Sequence, residues 1–283
     1  MTQATPVRAV AAAAIGCAVA VSFAIGAGMR GRQRAGERGE WGEGAQCGPG
    51  FAATGARCLV APGGPCPPPL VPTGRGCDAP DERVVVPETT LEIGPSDWEA
   101  EGMVGSRTIH VSAFRIDAFE VTEGGYSGGA RAADAARAAS GMGRDDAAGF
   151  CRRRGGRLPT EDEWIVAAAS AGHGSAPTAR RYPWGETGAV CRRAAWGLLK
   201  GPCATRAGGP DTVGSHPDGD SSSGLHDLAG NVAEWVGSEG DTAIAKGGSW
   251  ASSLATELRT WARLELPARS GDPRVGFRCA YSP

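Results

Sequence analysis

The segment Gly224–Val236, which reads GLHDLAGNVAEWV, constrains the fold of this chain more than any other stretch. Two glycines, two carboxylates, an asparagine and a tryptophan stand there between short apolar steps. Glycine adopts positive φ without a steric cost, so Gly230 and Asn231 predict a turn that directs backbone carbonyls toward one point. Carboxylates beside such carbonyls make the hard-oxygen environment that suits Ca²⁺. The residues alone leave a second interpretation open, in which the segment is a simple turn and both acids are solvated.

Composition limits the class of protein. The chain has 283 residues, which is enough for one large domain or two small ones. Its 45 glycines and 20 prolines favour a loop-rich fold over a helical bundle. A formal net charge of −2 argues against nucleic acid as a partner.

The N-terminal segment has two open interpretations. Residues 9–29 carry no charge and are long enough to span a bilayer. Either residues 1–29 are a cleaved signal sequence, or residues 9–29 stay as a membrane anchor. Three arginines follow the segment and only Arg8 precedes it. For an anchor, this charge bias would place the rest of the chain in the cytoplasm.

The nine cysteines indicate the opposite compartment. Cys17 lies within the apolar segment, and the other eight can pair, as is typical of an oxidising environment. Four disulfides need an oxidant, whereas three arginines are a weak topology signal, so we predict an exported or cell-envelope protein. Residues 9–29 would attach it to the membrane if the segment is not cleaved.

A polar linker, 30–46, precedes an internal repeat in the Cys-rich segment 47–83. Cys47–Cys58 and Cys66–Cys77 both read C-x-P-x-x-x-x-T-G-x-x-C. The simplest connectivity is one disulfide within each repeat, although crossed pairing stays open. The wide spacing and the absence of CxxC argue against zinc. Because so few residues build no core, we expect the disulfides to stabilise either a spacer or a small adhesive module.

The remaining residues, 84–283, predict an α+β domain with much irregular structure. Thr160 and Glu163 have the spacing of a capping box, which predicts a helix from there to Ala171. A second helix, acidic at its start and basic at its end, is predicted over Asp145–Arg154. The predicted strands are Val84–Val86, Leu91–Ile93, Thr108–Ile116, Lys246–Trp250, Leu258–Leu264 and Val275–Ala280.

Four further motifs occur in order along this domain. They are RLPTEDEW at Arg157–Trp164, YPWG at Tyr182–Gly185, KGGSW at Lys246–Trp250 and GFRCA at Gly276–Ala280. With the segment Ile109–Thr122 and the GLHDLAGNVAEWV segment, they resemble the formylglycine-generating enzyme, or sulfatase-modifying-factor, family. The resemblance covers roughly Val84–Ala280, and it implies a C-type-lectin-like fold with few regular elements.

The resemblance implies one disulfide and one metal site. In the family, a cysteine in the helix before the RLPTE motif is bonded to the cysteine of GFRC, and the matching residues here are Cys151 and Cys279. The family also has a Ca²⁺ site on the GLHDLAGNVAEWV segment, which turns the interpretation of that segment toward calcium. The matching ligands are the side chains of Asp227 and Glu234 and the backbone carbonyls of Gly230 and Val232.

The stretch after YPWG departs from the family pattern. A second family Ca²⁺ site usually begins there with an asparagine, but this chain has Cys191-Arg-Arg, so we expect that site to be lost. Cys191 and Cys203 bracket a short irregular loop, and on this spacing they are predicted to pair with each other.

The catalytic positions depart from the family as well. In active members, two cysteines after the GGS motif bind copper and activate oxygen, which oxidises a cysteine in a sulfatase segment. That chemistry needs soft thiolates, which select Cu(I). The matching residues here are Ser252 and Glu257, and no cysteine stands between the GGSW and GFRCA motifs. Ser249 of the motif is retained, while the substrate-contacting tryptophan of active members falls at Ala233. We therefore expect no copper site.

Other chemistry has less support in the sequence. A Ser-His-Asp arrangement can be drawn from Ser249 or Ser252 with His226 and Asp227, but no nucleophile elbow accompanies it. The four histidines show no metal-binding helical spacing. The paired acids Glu161 and Glu163 fit a helix cap better than catalysis.

Three functions remain. The favoured one is an exported protein with a catalytically silent domain that binds a peptide or glycan in the family cleft. The second is a divergent formylglycine-generating oxidase acting on a sulfatase cysteine. The third is a structural envelope protein whose Cys repeats make the contacts.

Overall fold

The computed structural model describes residues 46–54, 57–61, 63–74, 76–94, 105–128, 134–170, 178–206 and 208–283, which belong to one compact unit. The predicted signal or anchor segment 1–29 lies outside the described residues, and so does the linker up to residue 45. Among the helices in the described ranges, none has both the length and the apolar composition that a membrane span requires.

Short strands and turns dominate the described residues. The helices are α1 (Glu123–Ser127), α2 (Arg144–Arg153) and α3 (Glu161–Ala169), with 3-10 helices at Pro217–Gly219 and Ala255–Leu258. The strands are β1 (Phe51–Thr54), β2 (Arg57–Val60), β3 (Val71–Thr73), β4 (Gly76–Asp78), β5 (Arg83–Val86), β6 (Thr89–Ile93), β7 (Arg107–Val111), β8 (Phe114–Asp117), β9 (Ala233–Trp235), β10 (Thr242–Lys246), β11 (Arg263–Pro267), β12 (Val275–Gly276) and β13 (Ala280–Tyr281). The prediction of an α+β fold with much irregular structure is confirmed.

A four-stranded sheet in the order β11-β10-β9-β12 positions the GLHDLAGNVAEWV segment, because that segment supplies β9. β10 is antiparallel to both of its neighbours, and β12 is parallel to β9. A three-stranded sheet, β13-β8-β5, and the hairpin β6-β7 pack with α3 around one buried apolar cluster. The hairpins β1-β2 and β3-β4 each belong to one Cys repeat.

The single predicted strand Thr108–Ile116 is wrong, because the structure divides it into β7 and β8. Val111 and Phe114 are both buried, and three positions apart they break the alternation that one strand requires. β7 pairs with β6, whereas β8 pairs with β5 and β13. His110 is exposed on β7, as expected for a surface strand residue.

The predicted capping box is present. The Glu163 N–H donates to Thr160 Oγ1 at 3.1 Å, and the Thr160 N–H donates to Glu163 Oε2 at 2.8 Å. α3 ends at Ala169 rather than at Ala171, since Ser170 is extended and the Arg180 N–H donates to the Ala169 carbonyl. Ala171 itself lies outside the described residues.

The predicted strand Lys246–Trp250 is also wrong beyond its first residue. β10 ends at Lys246, because Gly247 and Gly248 have φ of 90° and 69°, which a continuing strand cannot have. The predicted strand Leu258–Leu264 begins instead with the end of a 3-10 helix, and β11 starts at Arg263. The predicted strand Val275–Ala280 consists of β12 and the start of β13.

All four predicted disulfides are bonded in the structure, at Cys47–Cys58, Cys66–Cys77, Cys151–Cys279 and Cys191–Cys203. The stability of the Cys-rich segment does not depend on disulfides alone, which corrects our expectation that its residues build no core. Leu70 and Cys77 share a buried cluster with Phe119, Val213 and Val232, so the repeats add to the core of the domain.

Candidate functional site

The residues at the family's catalytic positions line one pocket. Ser252 and Glu257 lie there with Ser249 and with Ala233, which stands where active members have a tryptophan. The pocket has a volume of about 540 Å³ and opens beside the strands β9, β10 and β11. Four residues that the family motifs singled out therefore line one cavity.

A glycine turn brings these positions together. A Cβ on Gly248 would lie 2.8 Å from the Glu257 carbonyl oxygen and 2.8 Å from Leu258, so only glycine allows this approach. The Ser249 N–H donates to Ser252 Oγ at 3.1 Å, and the Ser252 N–H donates to the Ser249 carbonyl at 2.9 Å. Ser252 is thereby held opposite the short 3-10 helix that carries Glu257.

The polar groups of this pocket are hard donors. Ser252 offers a hydroxyl and Glu257 a carboxylate, whereas Cu(I) selects soft thiolates and thioethers. Every cysteine in the described part of the chain is in a disulfide and has no thiolate to offer. On these residues the pocket does not fit the copper site of the active family members.

Sequence reasoning missed the arginines and the aromatic ring of the pocket. Arg259, Arg263 and Arg274 line it together with Trp261. The Arg259 side chain is buried, with 4% of the residue exposed, and its guanidinium lies 5.9 Å from the Trp261 ring centre. The run Arg-Thr-Trp-Ala-Arg over 259–263 is the sequence signal that could have indicated them.

Arg274 is held in place by Asp272. Its Nε donates to Asp272 Oδ1 at 2.9 Å and its Nη2 donates to Asp272 Oδ2 at 2.6 Å. This two-point hydrogen bond raises the pKa of Arg274, to which the charge of Glu257 also contributes, and lowers the pKa of Asp272. The guanidinium is therefore fixed and charged at the edge of the pocket.

Glu234, a predicted calcium ligand, is part of a buried ion pair. Arg278 donates from Nε to Oε2 at 2.9 Å and from Nη2 to Oε1 at 2.7 Å, and both side chains are fully buried. Trp164 Nε1 donates to Oε2 at 2.7 Å. Arg278 also donates to backbone carbonyls of Asp117, Ala118 and His226. GFRCA, RLPTEDEW and GLHDLAGNVAEWV are thus joined by one hydrogen-bonded cluster.

Asn231 connects two other buried acids, which the sequence did not reveal as partners. Its Nδ2 donates to Glu120 Oε2 at 2.5 Å, and its Oδ1 accepts from the Asp211 N–H at 2.8 Å. The Val232 N–H donates to Glu120 Oε1 at 3.1 Å. The positive φ of Asn231, 54°, is the turn that the Gly-Asn pair predicted.

The buried acids of the GLHDLAGNVAEWV segment and its neighbour Glu120 determine how well the segment suits a Ca²⁺ ion. Burial raises the pKa of Glu120 well above its usual range, and the carboxylates of Asp227 and Glu234 raise it further. Burial also raises the pKa of Asp227, although the Gly214 N–H donates to its Oδ2 at 2.6 Å. Three buried carboxylates therefore face one buried guanidinium, that of Arg278. In charge and donor type the residues fit a hard divalent cation, which would share the Glu234 oxygens with Arg278.

The remaining candidate groups have structural partners. His226 stacks on Phe119 with ring centres 4.2 Å apart, and its Nδ1 lies 2.9 Å from an oxygen of Asp220. Asp227 is bound to Gly214 and the serines are bound to each other, so the structure does not assemble the Ser-His-Asp arrangement. Glu161 lies 3.5 Å from the buried Lys246, whose pKa burial lowers to about 8.

Asp211 and His216 form a cluster that the histidine spacing did not predict. His216 Nε2 lies 3.0 Å from Asp211 Oδ2, and the Cys58 N–H donates to Asp211 Oδ1 at 3.1 Å. Burial lowers the pKa of His216, but the bond to Asp211 outweighs it and the pKa is raised. Cys58, Asp211 and His216 have ligand atoms within 4.8 Å of one another, yet the sulfur of Cys58 is bonded to Cys47. The cluster connects the first Cys repeat to the domain.

The fold and the pocket together define a domain of the sulfatase-modifying type, with a C-type-lectin-like arrangement of short elements. The family described as "Sulfatase-modifying factor enzyme 1-like domain" matches residues 71–283. The match includes the pocket and the Glu234–Arg278 pair. The chain belongs to this family.

Individual relatives are similar over part of the chain. The inactive C-alpha-formylglycine-generating enzyme 2 of Bos taurus is 34% identical over 149 residues, which are 48% of this chain and 47% of that protein. The formylglycine-generating enzyme of Thermomonospora curvata is 30% identical over 167 residues, which are 49% of this chain and 54% of that protein. The chain spans about half the length of these curated relatives.

A solved structure extends the similarity of fold. PvdO from Pseudomonas aeruginosa matches with a TM-score of 0.57 and 18% identity, over 77% of this chain and 99% of PvdO. At that identity the match concerns the fold alone.

Proposed function

We propose that this chain is an exported, non-catalytic protein whose sulfatase-modifying-factor-type domain binds a peptide or glycan in the Ser252–Glu257 pocket. The observation that carries the proposal is the pocket itself, which has a hydroxyl and a carboxylate at the positions of the copper-binding cysteines. Ala233 leaves open the space that a tryptophan fills in active members. One curated relative at 34% identity is itself named inactive.

Export is supported by the four disulfides, which form in oxidising compartments. A cell fractionation that recovers the full chain from the cytoplasm, with its cysteines reduced, would contradict this part of the proposal.

The alternative, a divergent formylglycine-generating oxidase, needs a metal site for oxygen. The described residues of the pocket supply hydroxyls, one carboxylate and three guanidiniums, and none of these is a soft ligand. Because the described residues of the pocket include no thiolate, introducing cysteines at the two matching positions tests this alternative.

We expect the full chain, produced under oxidising conditions and supplied with Cu(I), Ca²⁺, oxygen and a reductant, to leave a Cys-x-Pro-x-Arg peptide unchanged. Mass spectrometry detects the mass loss from cysteine to formylglycine, and an active family member run in parallel provides the positive control. Conversion of the peptide by the wild-type chain would overturn the proposal.

A double variant tests whether the pocket fails to bind copper because two cysteine ligands are missing or because the pocket is misfolded. Ser252→Cys/Glu257→Cys is expected to retain an equimolar amount of Cu(I) against a chelator, because two thiolates then meet across the Gly248 turn. The wild type and the single variant Ser252→Cys are expected to retain none. Copper retention by the wild type would mean that ligands other than these positions bind the metal.

The second part of the proposal is a bound Ca²⁺ ion, and it rests on the negative charge of the GLHDLAGNVAEWV segment. Asp227 and Glu234 would hold the ion with the carbonyls of Gly230 and Val232, and the bound ion would stabilise this turn without taking part in a reaction.

Calcium at roughly 100 times its Kd is expected to raise the free energy of unfolding by about 2.7 kcal/mol. Thermal unfolding of the full chain in excess Ca²⁺ and in EGTA measures this difference. Asp227→Ala is expected to abolish the response, whereas Asp218→Ala, at an exposed acid paired with Arg192, is expected to keep it. Equal unfolding temperatures of the wild type in Ca²⁺ and EGTA would exclude the site.

A further inference from the structure

The strand β11, Arg263–Pro267, has an open edge in the described part of the chain. It is the outermost strand of the four-stranded sheet, and among the described strands it pairs with β10 alone. An edge strand presents a row of N–H and C=O groups to which another strand can bind. The residues of β11 therefore determine which strand would fit this edge.

The backbone hydrogen bonds of β10 fix the direction in which its residues point. The N–H of Val236, the residue after β9, donates to the Ile244 carbonyl at 3.0 Å, so Ile244 directs its backbone groups to β9. Because successive residues of a strand alternate in direction, the two neighbours of Ile244 direct theirs to β11. These neighbours are Ala243 and Ala245, which are opposite Leu266 and Leu264.

Leu264 and Leu266 therefore use their backbone groups for β10. Arg263 and Glu265, which alternate with them, direct their N–H and C=O groups to the open edge. Pro267 ends this edge, because proline has no N–H and its carbonyl accepts from the Ser270 N–H at 2.8 Å. The edge thus offers the backbone groups of Arg263 and Glu265, and a longer pairing is blocked at the proline.

The side chains of β11 form one charged face and one apolar face. Arg263 and Glu265 are exposed, whereas Leu264 and Leu266 are half-buried against the core of the domain. Arg263 Nη2 lies 3.5 Å from Glu265 Oε1, so one positive and one negative side chain stand next to each other on the exposed face. A second strand beside β11 would cover the part of the leucines that its own sheet leaves exposed.

A second copy of β11 in antiparallel orientation complements this edge in one register. Hydrogen bonding requires that Arg263 and Glu265 of one copy are opposite Arg263 or Glu265 of the other. A pair centred on Arg263 or on Glu265 places like charges opposite each other. A pair centred on Leu264 places Arg263 of each copy opposite Glu265 of the other. Opposite charges at facing positions stabilise a strand pair and like charges destabilise it, so the charges select the register centred on Leu264.

The charged side chains keep their present neighbours in this register. Arg263 and Glu265 have 47% and 59% of their side-chain surface exposed, and both remain beside each other on their own strand. Each gains an opposite charge across the interface, so that the four charges alternate in sign. Because both copies use the same surface, the pairing closes at a dimer and does not continue into a fibre.

We infer that β11 is the interface of a two-fold homodimer, in which the β11 strands of two copies pair antiparallel about Leu264 and join their sheets into one. This interface goes beyond the proposed binding function and does not depend on it. Arg263 and Leu264 also line the pocket, so the dimer brings the strand of the second copy beside the pocket wall.

Sedimentation velocity of the full chain over a range of concentrations tests the dimer. The wild type is expected to change from monomer to dimer as its concentration rises, and added salt is expected to weaken the dimer. Glu265→Arg makes all facing charges positive and is expected to raise the dissociation constant at least about 10-fold. Arg263→Glu makes them all negative and is expected to have the same effect.

Two combinations distinguish lost charge complementarity from a misfolded edge. Arg263→Glu/Glu265→Arg exchanges the charges but keeps opposite signs across the interface, so it is expected to dimerise as the wild type does. An equimolar mixture of the two single variants is expected to form a heterodimer, since two positive side chains then face two negative ones. Arg192→Gln, at an exposed arginine outside β11, is the matched control and is expected to dimerise as the wild type does.

Cysteine cross-linking tests the register. In a pair centred on Leu264, the Cα atoms of the two Leu264 residues lie about 4.5 Å apart, which a disulfide can span. Leu264→Cys is therefore expected to form a covalent dimer on oxidation, as seen on a non-reducing gel. Leu266→Cys, on the same face, is opposite Ala262 of the second copy and is expected to form none. Cys17 is present in the wild type and in both variants, so the wild type measures any cross-link through Cys17.

The other outcomes contradict the dimer or its register. A wild type that stays monomeric at every concentration, with no cross-link in Leu264→Cys, overturns the inference. A dimer that both single charge variants leave intact uses another surface and overturns it as well. Equal cross-linking of Leu264→Cys and Leu266→Cys overturns the register and with it the role of the charges.

Discussion

Removing the Cys151–Cys279 disulfide is expected to lower the free energy of unfolding by about 5 kcal/mol, more than removing any of the other disulfides in the described residues. The bond joins residues 128 apart in sequence, and both cysteines are fully buried. A cross-link over so long a loop removes more conformational freedom from the unfolded chain than a short one does. It also ties α2 to the end of the chain within the cluster that contains Phe277 and Tyr281.

The Cys66–Cys77 bond is the matched control. It closes a loop of separation 11, so Cys66→Ala/Cys77→Ala is expected to cost about 3 kcal/mol by the same relation. Denaturant unfolding of the full-length wild type and of both double alanine variants measures the two losses. If the two variants lose the same free energy, loop length is not what determines the contribution of these bonds.

Arg278→Met is expected to lower the free energy of unfolding by about 3 to 5 kcal/mol, because it leaves the Glu234 carboxylate buried without its cation. Arg278 donates to both oxygens of Glu234 and to three backbone carbonyls, so the substitution strands several acceptors at once. Trp164 is the donor that remains for Glu234. Thermal and denaturant unfolding in EGTA measure the effect without any contribution from calcium.

A double variant and a surface variant complete this test. Glu234→Gln/Arg278→Met removes both charges and is expected to lose less than the sum of the two single variants, since an unpaired buried charge costs more than an absent pair. Arg192→Met breaks an exposed pair with Asp218 and is expected to change the free energy by less than about 1 kcal/mol. A loss in Arg278→Met no larger than in Arg192→Met would contradict the importance of the buried pair.

The proposed binding function and the stability of the scaffold depend on different parts of the sheet. The Glu234–Arg278 pair and the Cys151–Cys279 bond lie among buried residues that join the four-stranded sheet to the three-stranded sheet. The pocket lies where β10 ends and β11 begins, and its charged residues Glu257, Arg263 and Arg274 are partly or largely exposed. Variation of the pocket residues can therefore change the ligand without unfolding the domain, which agrees with an intact scaffold around altered catalytic positions.

Local features of the fold were predictable from the sequence. Thr160 and Glu163 form their capping box because all of its hydrogen bonds lie within one helical turn. One disulfide within each Cys repeat was the simplest connectivity of the sequence, and the structure has this pairing rather than the crossed one. The motif order identified the family, and through it Ser252 and Glu257 as residues of one pocket.

Other features depend on contacts that no local pattern contains. β10 stops at Lys246 because Gly248 must approach Leu258, which belongs to another element. α3 stops at Ala169, whose carbonyl accepts from the N–H of Arg180, further along the chain. The periodicity of one segment carries no information about its contacts with other segments, so the predicted elements were too long.

The sequence by itself determined the family, the capped helix and the absence of cysteines at the catalytic positions, since these depend on residue identity, order and short spacing. Only the tertiary structure decided which charges meet. It placed Glu234 against Arg278, 44 residues later, and Asn231 against Glu120, 111 residues earlier. It also gathered three arginines and Trp261 around the residues that match the family's catalytic positions. The physical reason is that a charge in a folded protein pairs with its neighbour in space, and packing alone brings distant residues into the same low-dielectric surroundings.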